Sequence, residues 1–206
     1  MHQSSTFARL VGAVVGFTLI GLGIAFYVKA DIGSDPFTVL VLGISGKTGI
    51  SVGRANQLNS VFLLVVLLIL DRSRIGPGTL LNAFIVGWAL DFFLPLVPDP
   101  VTPLTSWLML AVGVFLHGLG AGISVSADFG QGSIEGVMVM ISDKRQVSIG
   151  STRIGMDVTA VVIGLLLGAS FGPGTVVGAV LTGPVAYLTV TVLARLFNKP
   201  ASQGHI

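Results

Sequence analysis

The sequence predicts an all-α integral membrane protein: six transmembrane helices forming two inverted three-helix repeats, each with a short re-entrant helix reaching halfway through the membrane. Three observations predict it. The chain is 52% hydrophobic and only 10% charged, against about 25% charged residues in soluble domains. Six apolar segments approach the ~20 residues needed to cross a hydrocarbon core. An acidic glycine turn is also written twice, 97 residues apart, as "KADIGSDPF" from Lys29 and "SADFGQGSI" from Ser126.

The elements follow in order. Residues 7–28 form a long apolar run that leads into the first turn, and 36–45 a second run of only about ten residues. Segments 52–70 and 78–96 are again long. After a proline-rich join near 98–103 come 104–125, a short run at 133–142, and the long segments 149–167 and 174–197. A helix of about ten residues rises about 15 Å, half of the hydrocarbon core. Arg9, the apolar run behind it and "VKA" at 28–30 have the outline of a secretory signal. The recurrence of that segment deep inside the chain makes it a first transmembrane helix instead.

The recurrence is specific. Set without gaps against 118–150, residues 21–53 match at Gly21, Leu22, Gly23, Val28, Ala30, Asp31, Gly33, Ile44, Ser45, Lys47, Ser51 and Gly53. One residue out of that register, "GPGT" at 76–79 meets "GPGT" at 172–175, Ala83 meets Ala179 and Gly87 meets Gly183. Internal repeats outrank local signals in deciding architecture. A single membrane domain, 1–206, is expected, with repeat 1 at about 7–97 and repeat 2 at about 104–197.

Lysine and arginine set the orientation. With a cytoplasmic N-terminus and six crossings, and with Arg54 and Arg153 set aside as near helix starts, Arg9, Arg72, Arg74, Lys144, Arg145, Arg195 and Lys199 share one side, and Lys29 and Lys47 take the other. Three crossings per repeat is an odd number, so the second copy is inverted. Both termini are then expected on the cytoplasmic side.

A short helix inside a membrane must be buried in protein or line a cavity. Inversion brings the two short-helix N-termini, at Pro36 and Ser133, toward each other near the midplane, as in many transporter sites. Ser34 or Asp35 can cap the first and Ser133 or Gln131 the second, while Gly33 and Gly130 permit a left-handed turn. An ionised Asp at membrane depth is costly and demands a cavity, a cation or a partner. Asp31 and Asp128, being duplicated, are expected to be such groups. Asp35 and Glu135 are expected to be interfacial caps.

Other polar residues within apolar runs are candidates for the same site. Asp157 is near the middle of its segment with Arg153 one turn before it, and such a pair is either structural or functional. Their counterparts in repeat 1 are Asn56 and Ser60, with Asn59 adjacent. His117 is a packing histidine or a proton relay. Asn82 joins the set, and Asp91 reads as interfacial.

Several chemistries are excluded. "GISGKTG" at 43–49 has Val41 where a phosphate loop needs its first Gly, and no strand precedes it. The pairs Gly12/Gly16, Gly118/Gly122, Gly164/Gly168 and Gly174/Gly178 are helix-packing signatures. With no cysteine, no His/Glu cluster at metal-ligand spacing and no Ser/His/Asp order, neither an enzyme, a metal site nor a cofactor is expected. A formal charge of +2 is too small and scattered for nucleic acid.

On "GLGIAFYVKADIGSDPF", "KTGISVGRAN" and "IGPGTLLNAFIVGWALD" the chain resembles the YitT/YczE-type bacterial integral membrane proteins across nearly its whole length. In that family the first helix likewise ends in an A-x-x-G turn followed by a short helix and a T-G-x-S-x-G step. The resemblance implies a six-helix protein of the bacterial inner membrane with transport as its activity. This chain differs by carrying Gln-Gly-Ser at 131–133 where its first copy has Ser-Asp-Pro.

The expectation is a small secondary transporter or permease for an amine or zwitterion, bound between the short-helix N-termini. Asp31 and Asp128 would hold a cationic group, a proton or a coupling ion. The helix N-termini with Gly33, Ser34, Gly130 and Ser133, and Asn56 and Arg153, would complete the site, and Asp157 or His117 would carry protons. The alternatives are a passive channel, and a membrane accessory or scaffold that binds a cytoplasmic partner through "SDKRQ" at 142–146. The glycine faces suit packing within one chain or in a homodimer.

Overall fold

Every secondary-structure element among the described residues, 6–196 of a computed structural model, is helical. The chain forms α1 (Thr6–Ala30), α2 (Pro36–Thr48), α3 (Val52–Leu70), a 3-10 turn at Arg72–Arg74 and α4 (Pro77–Phe93). It then forms α5 (Pro103–Ala127), α6 (Ser133–Arg145), α7 (Ile149–Leu166) and α8 (Pro173–Leu196). The succession long, short, long, long thus occurs twice. Lys199, counted above among the positive residues of one side, lies outside the described residues.

Local chemistry sets the boundaries. Asp35 caps α2, its Oδ1 accepting from the Thr38 amide at 3.3 Å, with Pro36 at the first helical position where no donor is lost. The helix then runs past Gly46 and Lys47 to Gly49, whose φ of 73° makes the left-handed stop. Both short helices therefore reach 13 residues rather than about ten. Ser51 and Ser148 cap α3 and α7, accepting from the amides of Arg54 and Ser151. The two copies even share wiring at the short-helix ends. Ser45 Oγ donates to the Ile50 carbonyl and Ser142 Oγ to that of Val147, each at 2.7 Å.

Among the described residues five helices, α1, α3, α5, α7 and α8, are long and apolar enough to cross a membrane. α4 has 17 residues and falls short of that length, because regular helix ends at Phe93 and turns carry the chain to Val97.

Packing is built on glycine. α1 and α5 run antiparallel in close contact, Gly16 against Gly120 and Gly23 against Gly113. A Cβ on Gly16 would stand 2.6 Å from the Gly120 carbonyl oxygen, so the backbones themselves touch, the approach small residues allow between membrane helices. Gly21 seats on Val86, Ala89 and Leu90 of α4, and its counterpart Gly118 seats on Thr182 and Val185 of α8. Gly164 of α7 abuts Val39 of α2. Gly168 does not pack; with φ of 96° it lies in the turn after α7. The main apolar core joins Phe17, Ile24, Tyr27, Leu90, Leu110 and Val114, from both halves of the chain. A smaller one joins Leu67 of α3 to Val137 and Met140 of α6.

Large apolar side chains also cover the outside: Phe62, Trp88, Phe92, Phe115, Leu166 and Leu188 are all more than half exposed. A surface of this kind is a liability in water and the expected exterior in lipid.

Candidate functional site

Between each first helix and its short helix the backbone leaves helical geometry in the same way. Asp31 and Asp128 both have φ of 51°, and Gly33 and Gly130 have φ of 104° and 133°. The left-handed region is costly for residues with a Cβ and open to glycine, so this turn explains the duplicated spelling. Each turn docks on the other half of the chain. The Gly174 amide donates to Ile32 O at 2.8 Å, and the Gly78 amide donates to Phe129 O at 2.9 Å. The GPGT turns therefore receive the acidic turns across the repeat. A Cβ on Gly33 would meet Thr175 Oγ1 at 2.7 Å, and one on Gly130 would meet the Gly78 amide nitrogen at 2.9 Å.

Asp31 and Asp128 themselves are exposed. Asp128 pairs with Arg9 at 3.0 Å, and the same arginine donates through Nε to the Ala127 carbonyl at 3.2 Å. A cation at a helix C-terminus is electrostatically favoured, so this pair staples the ends of α1 and α5. The two duplicated aspartates are thus apart from the buried polar residues, because the left-handed turn follows directly on the helix end.

Asp35 is the carboxylate that goes inside. It is 5% exposed, and besides the Thr38 amide it accepts the Thr38 hydroxyl. The residue expected to be an interfacial cap is a cap, and it is buried. A Cβ on Gly178 of α8 would stand 3.3 Å from the Asp35 backbone, so α8 packs on this cap. Arg153 Nε donates to Asp157 Oδ2 at 3.1 Å, one turn along α7. Tyr27 packs edge-on to His117 with ring centroids 5.9 Å apart, and its hydroxyl shares a 2.9 Å hydrogen bond with Thr182 of α8. Tyr27, His117 and Thr182 thus join α1, α5 and α8, while Arg153 and Asp157 pair along α7.

Several buried polar atoms have no hydrogen-bond partner: Ser34 Oγ, Ser133 Oγ, Thr175 Oγ1, Asn56 Oδ1 and His117 Nδ1. Ser34 and Ser133 are 2% and 0% exposed, one beside each short-helix N-terminus. A buried polar atom left unpaired costs free energy unless water or a ligand satisfies it. Among the described residues no group of three or more His, Asp or Glu side chains is placed to hold a metal ion.

The sequence singled out Arg153, Asp157, His117, Asn56, Ser34 and Ser133, and the structure shows all six to be wholly or partly buried. It missed Tyr27, Thr175 and Thr182. Thr175 was within reach, since "GPGT" is duplicated; Tyr27 carries no sequence signal beyond an aromatic in an apolar run. Outside the apolar helices, at the 3-10 turn, the Ser73 hydroxyl and Arg74 hold the Asp71 carboxyl below its ordinary range. Arg74 also pairs with Asp143, tying that turn to the end of α6.

Long apolar helices, a lipid-like exterior and a buried polar group define the class: an all-α, multi-pass integral membrane protein. The chain belongs to a family of unknown function, DUF6198, which it matches over residues 7–190. It is 30% identical over 183 residues to an uncharacterized protein of Haemophilus influenzae, covering 89% of this chain and 84% of that one. It is 27% identical over 194 residues to the uncharacterized protein YyaS of Bacillus subtilis, covering 93% and 96%. With the uncharacterized membrane protein YczE of the same organism it shares 26% over 184 residues, 89% of this chain and 86% of that one. The YitT/YczE-type resemblance drawn from the motifs is thereby shown. No solved structure matches the chain.

Proposed function

We propose that the protein is a small secondary transporter of the bacterial inner membrane, carrying an amine or a zwitterion through a site between the two short-helix N-termini. One observation carries the reading. Among the described residues three carboxylates stand on or at the start of these helices, Asp35 before α2, Glu135 in the first turn of α6 and Asp157 on α7, and of the three Asp157 alone has an ion-pair partner, Arg153. Carboxylates in excess favour a cationic group, and Arg153 with two helix N-termini offers a place for an anionic one. The unpaired Ser34, Ser133 and Asn56 oxygens supply acceptors for its N–H donors.

The topology proposed with it is six crossings in two inverted repeats, α2 and α6 re-entrant, both termini cytoplasmic. The antiparallel α1–α5 contact supports inversion, because these two helices begin the two repeats. The reciprocal docking of the acidic turns on the opposite GPGT turns supports a pseudo-twofold axis between them. α4, the sixth crossing, would complete its span with the turns that follow Phe93.

The test is a thermal-shift screen of purified protein against amines, amino acids, sulfonates and monovalent ions. A ligand that binds only the folded state raises Tm. The expected hit is an amine or zwitterion whose shift disappears in Asp35→Asn and Asp157→Asn and survives in Asp31→Asn. Asn still caps a helix, so Asp35→Asn removes charge and keeps α2. A hit shifted equally in wild type and both buried-site variants would refute the site. Uptake into proteoliposomes that ignores any ion gradient would favour a channel.

A further inference from the structure

The long helices that end the first repeat close on each other, and those that end the second do not. In α3 and α4, a Cβ on Gly53 would stand 2.1 Å from the Gly87 carbonyl oxygen, and one on Gly87 would stand 2.5 Å from that of Gly53. Gln57 crosses the same seam, its amide donating to Phe84 O at 3.1 Å. Asp91 then locks it: Oδ2 accepts from Ser51 Oγ at 2.6 Å and Oδ1 from the Gly53 amide at 2.7 Å.

In the repeat register the counterparts are Gly150 and Ile154 on α7, and Val180, Gly183 and Tyr187 on α8, with Ser148 before α7. All are apart. A Cβ on Gly150 or Gly183 would find nothing within 4 Å. Ile154, Val180 and Tyr187 are 65%, 60% and 65% exposed. Among the described residues α7 packs on α2 and α8 on α5, but α7 and α8 form no seam comparable to that of α3 and α4. Glycine inside a helix is destabilising relative to alanine unless close approach offsets it. At Gly53 and Gly87 close approach is present; at Gly150 and Gly183 nothing in this conformation supplies it.

We propose that the two seams are alternatives: α7 closes on α8 through Gly150, Ile154 and Gly183 when α3 opens from α4. The protein then has a second conformation in which the repeats exchange roles, and the site between them is reached from the opposite side. This rests on the repeat reading proposed above and gives the transporter its motion. What covers the exposed α7–α8 face is written in the chain itself, since the same positions in repeat 1 show the closed form. Packed seams have discrete arrangements rather than a continuum. Tyr187 stands where Asp91 stands in repeat 1, so the second lock exchanges a carboxylate for a neutral hydroxyl at the Ser148 cap. A carboxylate accepting a helix N-terminal amide is the stronger lock, which accounts for the first seam being the closed one here.

The chain has no cysteine, so introduced thiols report alone. Two pairs are made in the full chain, Ser51→Cys/Asp91→Cys, whose side chains already meet at 2.6 Å, and Ile154→Cys/Gly183→Cys, reconstituted in liposomes. They are oxidised with copper phenanthroline and read by loss of maleimide-PEG labelling on a non-reducing gel. The first pair cross-links within one chain. The second, formed of exposed residues whose replacement leaves the described packing intact, also cross-links within one chain, but more slowly. Gly53→Ala, a wedge in the first seam, speeds that second cross-link about fivefold, the population shift a typical single destabilisation gives. Absence of an intramolecular disulfide in the second pair, with and without the wedge, overturns the proposal. So does a disulfide that joins two chains, which would make this face an interface between copies. The gel needs no substrate, so its failure is distinct from failure of the ligand screen.

Discussion

At the scale of single residues, the division of labour among the acids is decided by backbone position. Asp31 and Asp128 take left-handed geometry directly after a helix and stay exposed, whereas Asp35, four residues on, caps α2 inside. The pair Arg153–Asp157 is the sharpest test of how the buried charge is held. Arg153→Gln leaves Asp157 without its partner and is expected to lower stability by roughly 1–2 kcal/mol, below the range for a fully buried pair because the Arg153 side chain is 37% exposed. Arg153→Gln with Asp157→Asn is expected to recover at least half of that loss, measured by unfolding in detergent. Strict additivity of the two single changes would sink the pairing.

At the scale of elements, glycine separates helices that touch from helices that merely neighbour. Gly16→Leu puts a side chain where even a Cβ lies 2.6 Å from the Gly120 carbonyl oxygen, and should cost about 3 kcal/mol or more by forcing α1 from α5. Gly46→Ala, in α2 with nothing within 4 Å, should be neutral or stabilise by up to about 1 kcal/mol. Thermal unfolding of both variants checks the contrast; a harmless Gly16→Leu would mean that α1 and α5 do not pack through this face. The four glycine pairs picked out by spacing show the limit of such signals. Gly12, Gly16, Gly118, Gly122, Gly164, Gly174 and Gly178 do meet other elements, but Gly168 is a turn residue. Spacing alone does not tell a packing face from a stop signal.

At the scale of the molecule, the reciprocal docking of each acidic turn on the other repeat's GPGT turn makes the halves interdependent. The inverted reading places the C-terminal ends of α2 and α6 on opposite sides of the membrane. Thr48→Cys and Arg145→Cys, both at exposed positions, should therefore react with an impermeant maleimide from opposite sides, in spheroplasts for the first and in inside-out vesicles for the second. Labelling from the same side would rule out inversion.

The sequence by itself determined the class, the duplication and the element order, because hydropathy, caps and glycine stops act within a few residues. Pro36, Ser51 and Ser148 mark boundaries that need no tertiary partner. It also picked out Arg153, Asp157 and His117, since charge inside an apolar run stands out anywhere. Only the tertiary structure decided which acid goes inside, that Tyr27 and Thr182 meet across the bundle, and that one seam is closed and its counterpart open. These depend on which helices lie beside which, and residues 155 positions apart leave no trace of their contact in local pattern.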